Sequence, residues 1–264
     1  MPATSRNGLS RPFLVFGVVV GLLVALWGAL WLTSLTVHRS ADSVKTYGGV
    51  EQLKIAGGSG DIEVVAEDRD DVQVTAHREW SLAEPRVEQS FDGGTLKLSG
   101  SCGFWGAFGP DGCETDFVLH VPRDLPLEVH GSSGDVTGRG LAGDTVLSTS
   151  SGDVEAIDVS GPLRMSASSG DVDVEGYSGS DVRANASSGD VTVRTRVVPD
   201  NVAVDVSSGD VTIAVPGNVA YRVQSDTDSG DSEVEVDQSL DSPHTIDARA
   251  SSGDVRVARL ADAR

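Results

Sequence analysis

Aspartate is the residue whose repetition could do chemistry in this chain. The tripeptide Ser-Gly-Asp occurs eight times in 264 residues, with carboxylates at Asp61, Asp135, Asp153, Asp171, Asp190, Asp210, Asp231 and Asp254. From Gly134 onward the steps between successive glycines are 18, 18, 19, 20, 21 and 23 residues. A carboxylate at that interval has three chemistries open to it. It can cap a turn, since Ser and Asp side chains bond nearby backbone and Gly accepts positive φ. In that reading each Asp serves its own turn. It can form a calcium ladder, because stacked carboxylates about 5 Å apart repel by roughly 1 kcal/mol even in water and a hard cation relieves the repulsion. It can do acid–base work, as carboxylate pairs do in polysaccharide cleavage. Identical Asp residues in every copy are what a structural repeat produces, so capping is the main expectation. No cofactor is expected, with calcium as the alternative; the Gly-Gly-x-Gly-x-Asp pattern of calcium-binding rolls is absent.

Cys102 and Cys113 are the only cysteines. Outside the cytoplasm such a pair reads as a disulfide, and two thiolates alone make an incomplete zinc site. Between them lies a Gly-rich loop carrying Phe104, Trp105 and Phe108. These aromatics either plug the end of a core or form a contact site for a partner, glycan or bilayer surface. His77, His120, His130 and His244 are scattered and adjoin no recognisable nucleophile motif. No phosphate-binding loop with Lys and no dinucleotide fingerprint is present.

The elements that hold these residues follow from apolar register. Two and four residues after the glycine come pairs such as Val154/Ala156, Val172/Val174, Val191/Val193 and Val211/Ile213. Seven and five residues before it come Leu53/Ile55, Leu127/Val129, Leu163/Met165, Val182/Ala184 and Val202/Val204. Polar residues alternate with them, which is the mark of half-buried strands. Each repeat is therefore two short strands joined at Ser-Gly-Asp, with a second corner at Gly143, Gly161 and Gly179. Two strands per 18 to 23 residues predict an all-β chain folded as a parallel β-solenoid. Each strand should pair with its equivalent in the next coil, at about 4.8 Å. After Gly230 the register slips, with Ser232 in the inward place, so a bulge or longer loop is expected there.

Residues Phe13 to Leu35 form a run of 23 residues without charge, enough to span a bilayer. Arg6 and Arg11 precede it, which predicts a cytoplasmic N-terminus and a single-pass topology; a cleaved signal peptide is the alternative. Gly17 and Gly21 make a Gly-x-x-x-Gly pair that could support helix association. The expected division is a cytoplasmic tail at 1–12, a transmembrane helix at 13–37, a linker at 38–44, the solenoid at 45–258 and a C-terminal tail at 259–264. All 40 acidic residues follow residue 40, whereas three of the 20 basic ones precede it, so the exported part carries a formal charge of −23. That excess disfavours nucleic acid and anionic surfaces as direct partners.

The apolar segment, the run Phe117-Val118-Leu119-His120-Val121-Pro122 and the Ser-Gly-Asp-Val coils together resemble the bacterial putative-adhesin family labelled DUF4097. The resemblance covers residues 45 to 258. It implies a β-solenoid at the cell membrane and supplies no catalytic residues. The function expected from it is a non-catalytic adhesion or scaffold module outside the membrane, touching an envelope protein or glycan. Similar domains in envelope-stress proteins imply sensing through a membrane partner as the alternative, and a carbohydrate-active enzyme stands third.

Overall fold

The computed structural model describes residues 10–34, 39–81, 83–102 and 113–260. The chain is all-β apart from helix α1 (Ser10–Ser34), and its sheets are mostly parallel. Its solenoid-like body is a stack of coils, each giving one strand to either of two facing sheets.

In chain order the coils are β2 (Gln52–Ala56) with β3 (Ile62–Glu67), β6 (Thr95–Ser101) with β7 (Cys113–Pro122), β8 (Leu127–Ser133) with β9 (Val136–Arg139), and β10 (Thr145–Ser151) with β11 (Val154–Ile157). There follow β12 (Leu163–Ser169) with β13 (Val172–Tyr177), β14 (Asp181–Ser188) with β15 (Val191–Thr195), and β16 (Asn201–Ser208) with β17 (Val211–Val215). The last two are β18 (Arg222–Ser229) with β19 (Ser232–Val234), and β20 (Thr245–Ser252) with β21 (Val255–Arg259). Parallel register holds residue for residue: Val154 pairs with Val172, Val172 with Val191, and Val191 with Val211. These four valines are at most 1% exposed, as the alternation requires.

Stacking order departs from chain order at both ends. The coil β2/β3 lies between β6/β7 and β8/β9, and β20/β21 lies between β16/β17 and β18/β19. The expectation that each strand pairs with its equivalent in the next coil therefore holds only from β8/β9 to β16/β17. Antiparallel strands finish the N-terminal end. There β1 (Arg39–Gly48) pairs with β4 (Asp71–Trp80), β4 pairs with β7, and β5 (Arg86–Asp92) pairs with β6. Because β1 begins at Arg39, residues 39–44, expected as linker, are strand.

The bulge expected after Gly230 is elsewhere. Ser232 stays in register with Val255. The longer connection comes after β19, at residues 235–244, and lets β20 enter the stack beneath β18. The irregular register lies in β13, between Val174 and Tyr177. Gly176 takes φ 68° there, and Tyr177 turns into the core with its hydroxyl between the carbonyls of Gly161 (3.1 Å) and Asp181 (2.5 Å). Burial pushes that phenol up to about 12.

Side chains of α1 are described at 15–28, and the large apolar ones there are exposed, from Val20 at 42% to Trp27 at 72%. None belongs to the core cluster. Among the described residues no helix is long and apolar enough to cross a membrane, so the transmembrane helix expected over 13–37 is not supported by them.

Candidate functional site

The eight Ser-Gly-Asp corners form one column along the edge of the stack. Their glycines all have φ between 119° and 147°, in the left-handed region that an L side chain resists. A Cβ on Gly189 would also run into the carbonyl of Gly170 in the coil below. At each corner but the last in the stack, two backbone donors point to the following coil. Gly152 N–H, for example, donates to the Ser169 carbonyl at 3.0 Å, and Val154 N–H to the Asp171 carbonyl at 2.9 Å. The N–H of the intervening Asp points the other way and needs an acceptor from the preceding coil.

That acceptor is the preceding aspartate. Asp153 N–H donates to Asp135 Oδ1, Asp171 N–H to Asp153 Oδ1, Asp190 N–H to Asp171 Oδ1 and Asp210 N–H to Asp190 Oδ1, each at 2.8 Å. The chain of bonds continues through Asp254, which donates to Asp210, and Asp231, which donates to Asp254. It runs back through Asp135 to Asp61. The expectation that each Asp caps its own turn is thus corrected: each carboxylate caps the turn one coil further on. The ladder starts at Asp116, whose Oδ1 accepts the N–H of Asp61 at 2.9 Å. Sequence reading missed Asp116 because Thr115, not Gly, precedes it. Thr115 takes the place next to Gly60 in the neighbouring coil, and its N–H donates to the Ser59 carbonyl.

Among the described residues no group of three or more His, Cys, Asp or Glu is placed to hold a metal ion. The cysteines do pair. Cys102 and Cys113 are disulfide-bonded with their Cα atoms 5.8 Å apart, joining the end of β6 to the start of β7 and hence one sheet to the other. The bond closes the coil β6/β7 across residues 103–112. Phe104, Trp105 and Phe108, expected as a plug or a contact site, lie outside the described residues.

The histidines are less scattered than their positions in the chain imply. His77 on β4 meets Asp42 on β1 and Glu79, and its pKa is raised, first by the hydrogen bond with Asp42 and then by that with Glu79. His120 meets Glu67 at 2.8 Å. His130 on β8 lies beside Ser148 of β10 because parallel register sets those two residues together. Its Nδ1 is 2.5 Å from Ser148 Oγ and its Nε2 2.7 Å from Glu128 Oε1. Lys54 Nζ donates to Glu128 Oε2 at 2.6 Å. The Glu128 carboxyl is held down to about 2, by the hydrogen bond from Lys54 first and that from His130 second. Glu, His and Ser stand in the order of a nucleophile relay, but Ser148 Oγ donates to the Val129 carbonyl at 3.1 Å. Both ring nitrogens of His130 are in hydrogen-bond contact, Nδ1 with Ser148 and Nε2 with Glu128. The array holds three side chains on the outer face of the sheet, with Ser148 shared between the imidazole and a backbone carbonyl.

The family profile described as Toastrack DUF4097 matches residues 126–258. The chain belongs to the Toastrack DUF4097 family. The match begins just before β8 and ends within β21, so it takes in the coils from β8/β9 onward. Among solved structures, the chain is similar to a putative cell adhesion protein from Clostridium sporogenes at 11% identity, covering 84% of this chain and 100% of that one with a TM-score of 0.35. It is similar to a putative adhesin from Bacteroides fragilis at 14% identity, covering 84% and 97% with a TM-score of 0.37. A putative lipid binding protein from Parabacteroides distasonis is similar at 13% identity, covering 84% and 96% with a TM-score of 0.36. No curated protein matches the chain.

Proposed function

We propose that this chain is a membrane-anchored module facing out of the cell, whose stacked-coil body binds envelope partners without catalysis. The observation that carries the reading is α1: a helix with bare apolar side chains beside a domain whose core closes without it. Exposed apolar surface of that kind marks contact with a membrane or a partner. The 23 uncharged residues at 13–35, with Arg6 and Arg11 before them, support insertion with the N-terminus inside. The disulfide fits an oxidising compartment. In the body, the ladder carboxylates accept backbone N–H groups and Ser148 donates to the Val129 carbonyl, which supports a binding role over a catalytic one. In this reading the ladder carboxylates serve as turn caps, the Oδ1 of each one short of Asp231 accepting a backbone N–H, and calcium is not invoked. A second reading, sensing through a membrane partner, draws on Gly17 and Gly21, where an added Cβ would meet nothing within 4 Å.

Crosslinking on intact cells, followed by purification of the full chain from membranes, tests the proposal. Capture of an envelope protein or glycan by a reagent confined to the outside is the expected result. Capture of cytoplasmic proteins alone would contradict it.

A further inference from the structure

The outer face of the sheet containing β2, β6 and β8 carries a cleft of about 520 Å³. Its shape follows from register. Ala56 on β2 and Ser99 on β6 are register partners and form a floor of small side chains. Longer side chains stand around them. Lys54 and Lys97 are register partners on one side, Glu88 lies opposite Ser99 on β5, and His130 lies opposite Ala56 on β8.

The chain contains three lysines, all before residue 98, in a protein of net charge −20. Two of them are this neighbouring pair. The third, Lys45, donates to Gln89 of β5, the strand that bounds the cleft, at 2.8 Å. Two ammonium groups side by side repel, and the structure neutralises one of them. Glu128 takes Lys54 at 2.6 Å, and His130 holds Glu128 from its other oxygen. Lys97 has no ion pair among the described residues, and neither does Glu88. The cleft therefore offers one uncompensated ammonium, the remaining donors of Lys54, the hydroxyls of Ser90 and Ser99, and a carboxylate acceptor at Glu88. The imidazole of His130 is pinned at both nitrogens and serves as a fixed wall.

We propose that this cleft binds a saccharide bearing a carboxylate, of the uronic-acid type. The ligand carboxylate completes Lys97 as Glu128 completes Lys54, and sugar hydroxyls donate to Glu88 and exchange hydrogen bonds with Ser90 and Ser99. A short acidic sugar suits the site better than a long polyanion, because the surrounding acidic body repels extended negative charge. The inference rests on the reading of the body as a non-catalytic binding module and names its ligand class.

The test is calorimetric titration of the purified full chain in neutral detergent micelles. The titrants are a disaccharide ending in glucuronic acid and its counterpart ending in glucose. The acidic disaccharide should bind at least tenfold more tightly than the neutral one. K97Q should lower its affinity by about tenfold or more, and A56L, which fills the floor of an exposed surface, should abolish binding. An unchanged circular dichroism spectrum checks that both variants fold. Equal affinity for the two sugars, no binding of either, or no effect of K97Q would overturn the proposal. So would displacement by sodium acetate at concentrations matching the acidic sugar, which would reduce the site to a bare anion contact. The titration is made in solution and does not depend on membrane topology. Its failure is thus separable from failure of the outward-facing reading, which shows on cells.

Discussion

A single aspartate in the ladder does two opposed things. Its Oδ1 accepts a backbone N–H that otherwise lacks a partner, and its charge stands about 5 Å from two like charges. The two effects separate by substitution. Asp171→Ala removes the acceptor for Asp190 N–H and should cost about 1–2 kcal/mol, the range for a lost hydrogen bond with a charged partner at an exposed site. Asp171→Asn keeps an oxygen acceptor while removing one charge from the column, so it should lie within about 0.5 kcal/mol of the parent. Denaturant melts of both variants check this, and chelator should leave the parent's midpoint where it was. A chelator-sensitive midpoint with both variants equally damaged would point instead to bound calcium.

His77 ties β4 to β1 through a contact that depends on pH. Its pKa is raised above the ordinary 6.5 by the hydrogen bond with Asp42 and then that with Glu79. A raised histidine contributes stability that is fully present below its unfolded pKa and lost as pH rises through the folded one. The tie between β1 and β4 should therefore loosen on the alkaline side of pH 6.5. An NMR titration should place the His77 midpoint above 6.5, and Asp42→Asn should move it down. A midpoint indifferent to Asp42→Asn would contradict the pairing.

At the scale of elements, the strands were legible and their order was not. Alternation marks Val154, Val172, Val191 and Val211 as core, because period-two patterning is a local signal that burial enforces. Which coil lies next to which is not local. Equivalent corners make every coil an acceptable neighbour for every other, and the insertions of β2/β3 and β20/β21 are choices among near-equals. One residue did carry the signal. Ser232 stands at an inward position, and in the structure its hydroxyl bonds Ser225 Oγ at 2.8 Å on the terminal coil. Thr227, also on that coil, donates to the Gly253 carbonyl at 2.9 Å. Polar residues on the inner side of the last coil are what a terminal repeat needs to stop stacking. The apparent slip in the repeat was a cap. Replacing Ser225, Thr227 and Ser232 together by Val should give that end an apolar face and produce concentration-dependent self-association in sedimentation velocity. A variant that stays as dispersed as the parent would show that the cap lies elsewhere.

The cleft was illegible for the same reason. Lys54, Lys97 and His130 are separated by tens of residues, and only the placement of β2 between β6 and β8 makes them neighbours. The disulfide was legible because a lone cysteine pair expected in an oxidising compartment has few other uses, and the structure joins the two.

At the scale of the whole molecule, an acidic stack of coils sits behind an apolar helix that its core does not use. The stack has fixed ends: antiparallel strands and a disulfide at one, a polar coil at the other. The proposed use of such a body depends on which side of a membrane it faces. Protease added to intact spheroplasts expressing the full chain decides this most directly. The body should be digested, and a small N-terminal stub should remain with the membrane. Full protection of the body until the membrane is lysed would contradict an outward-facing module.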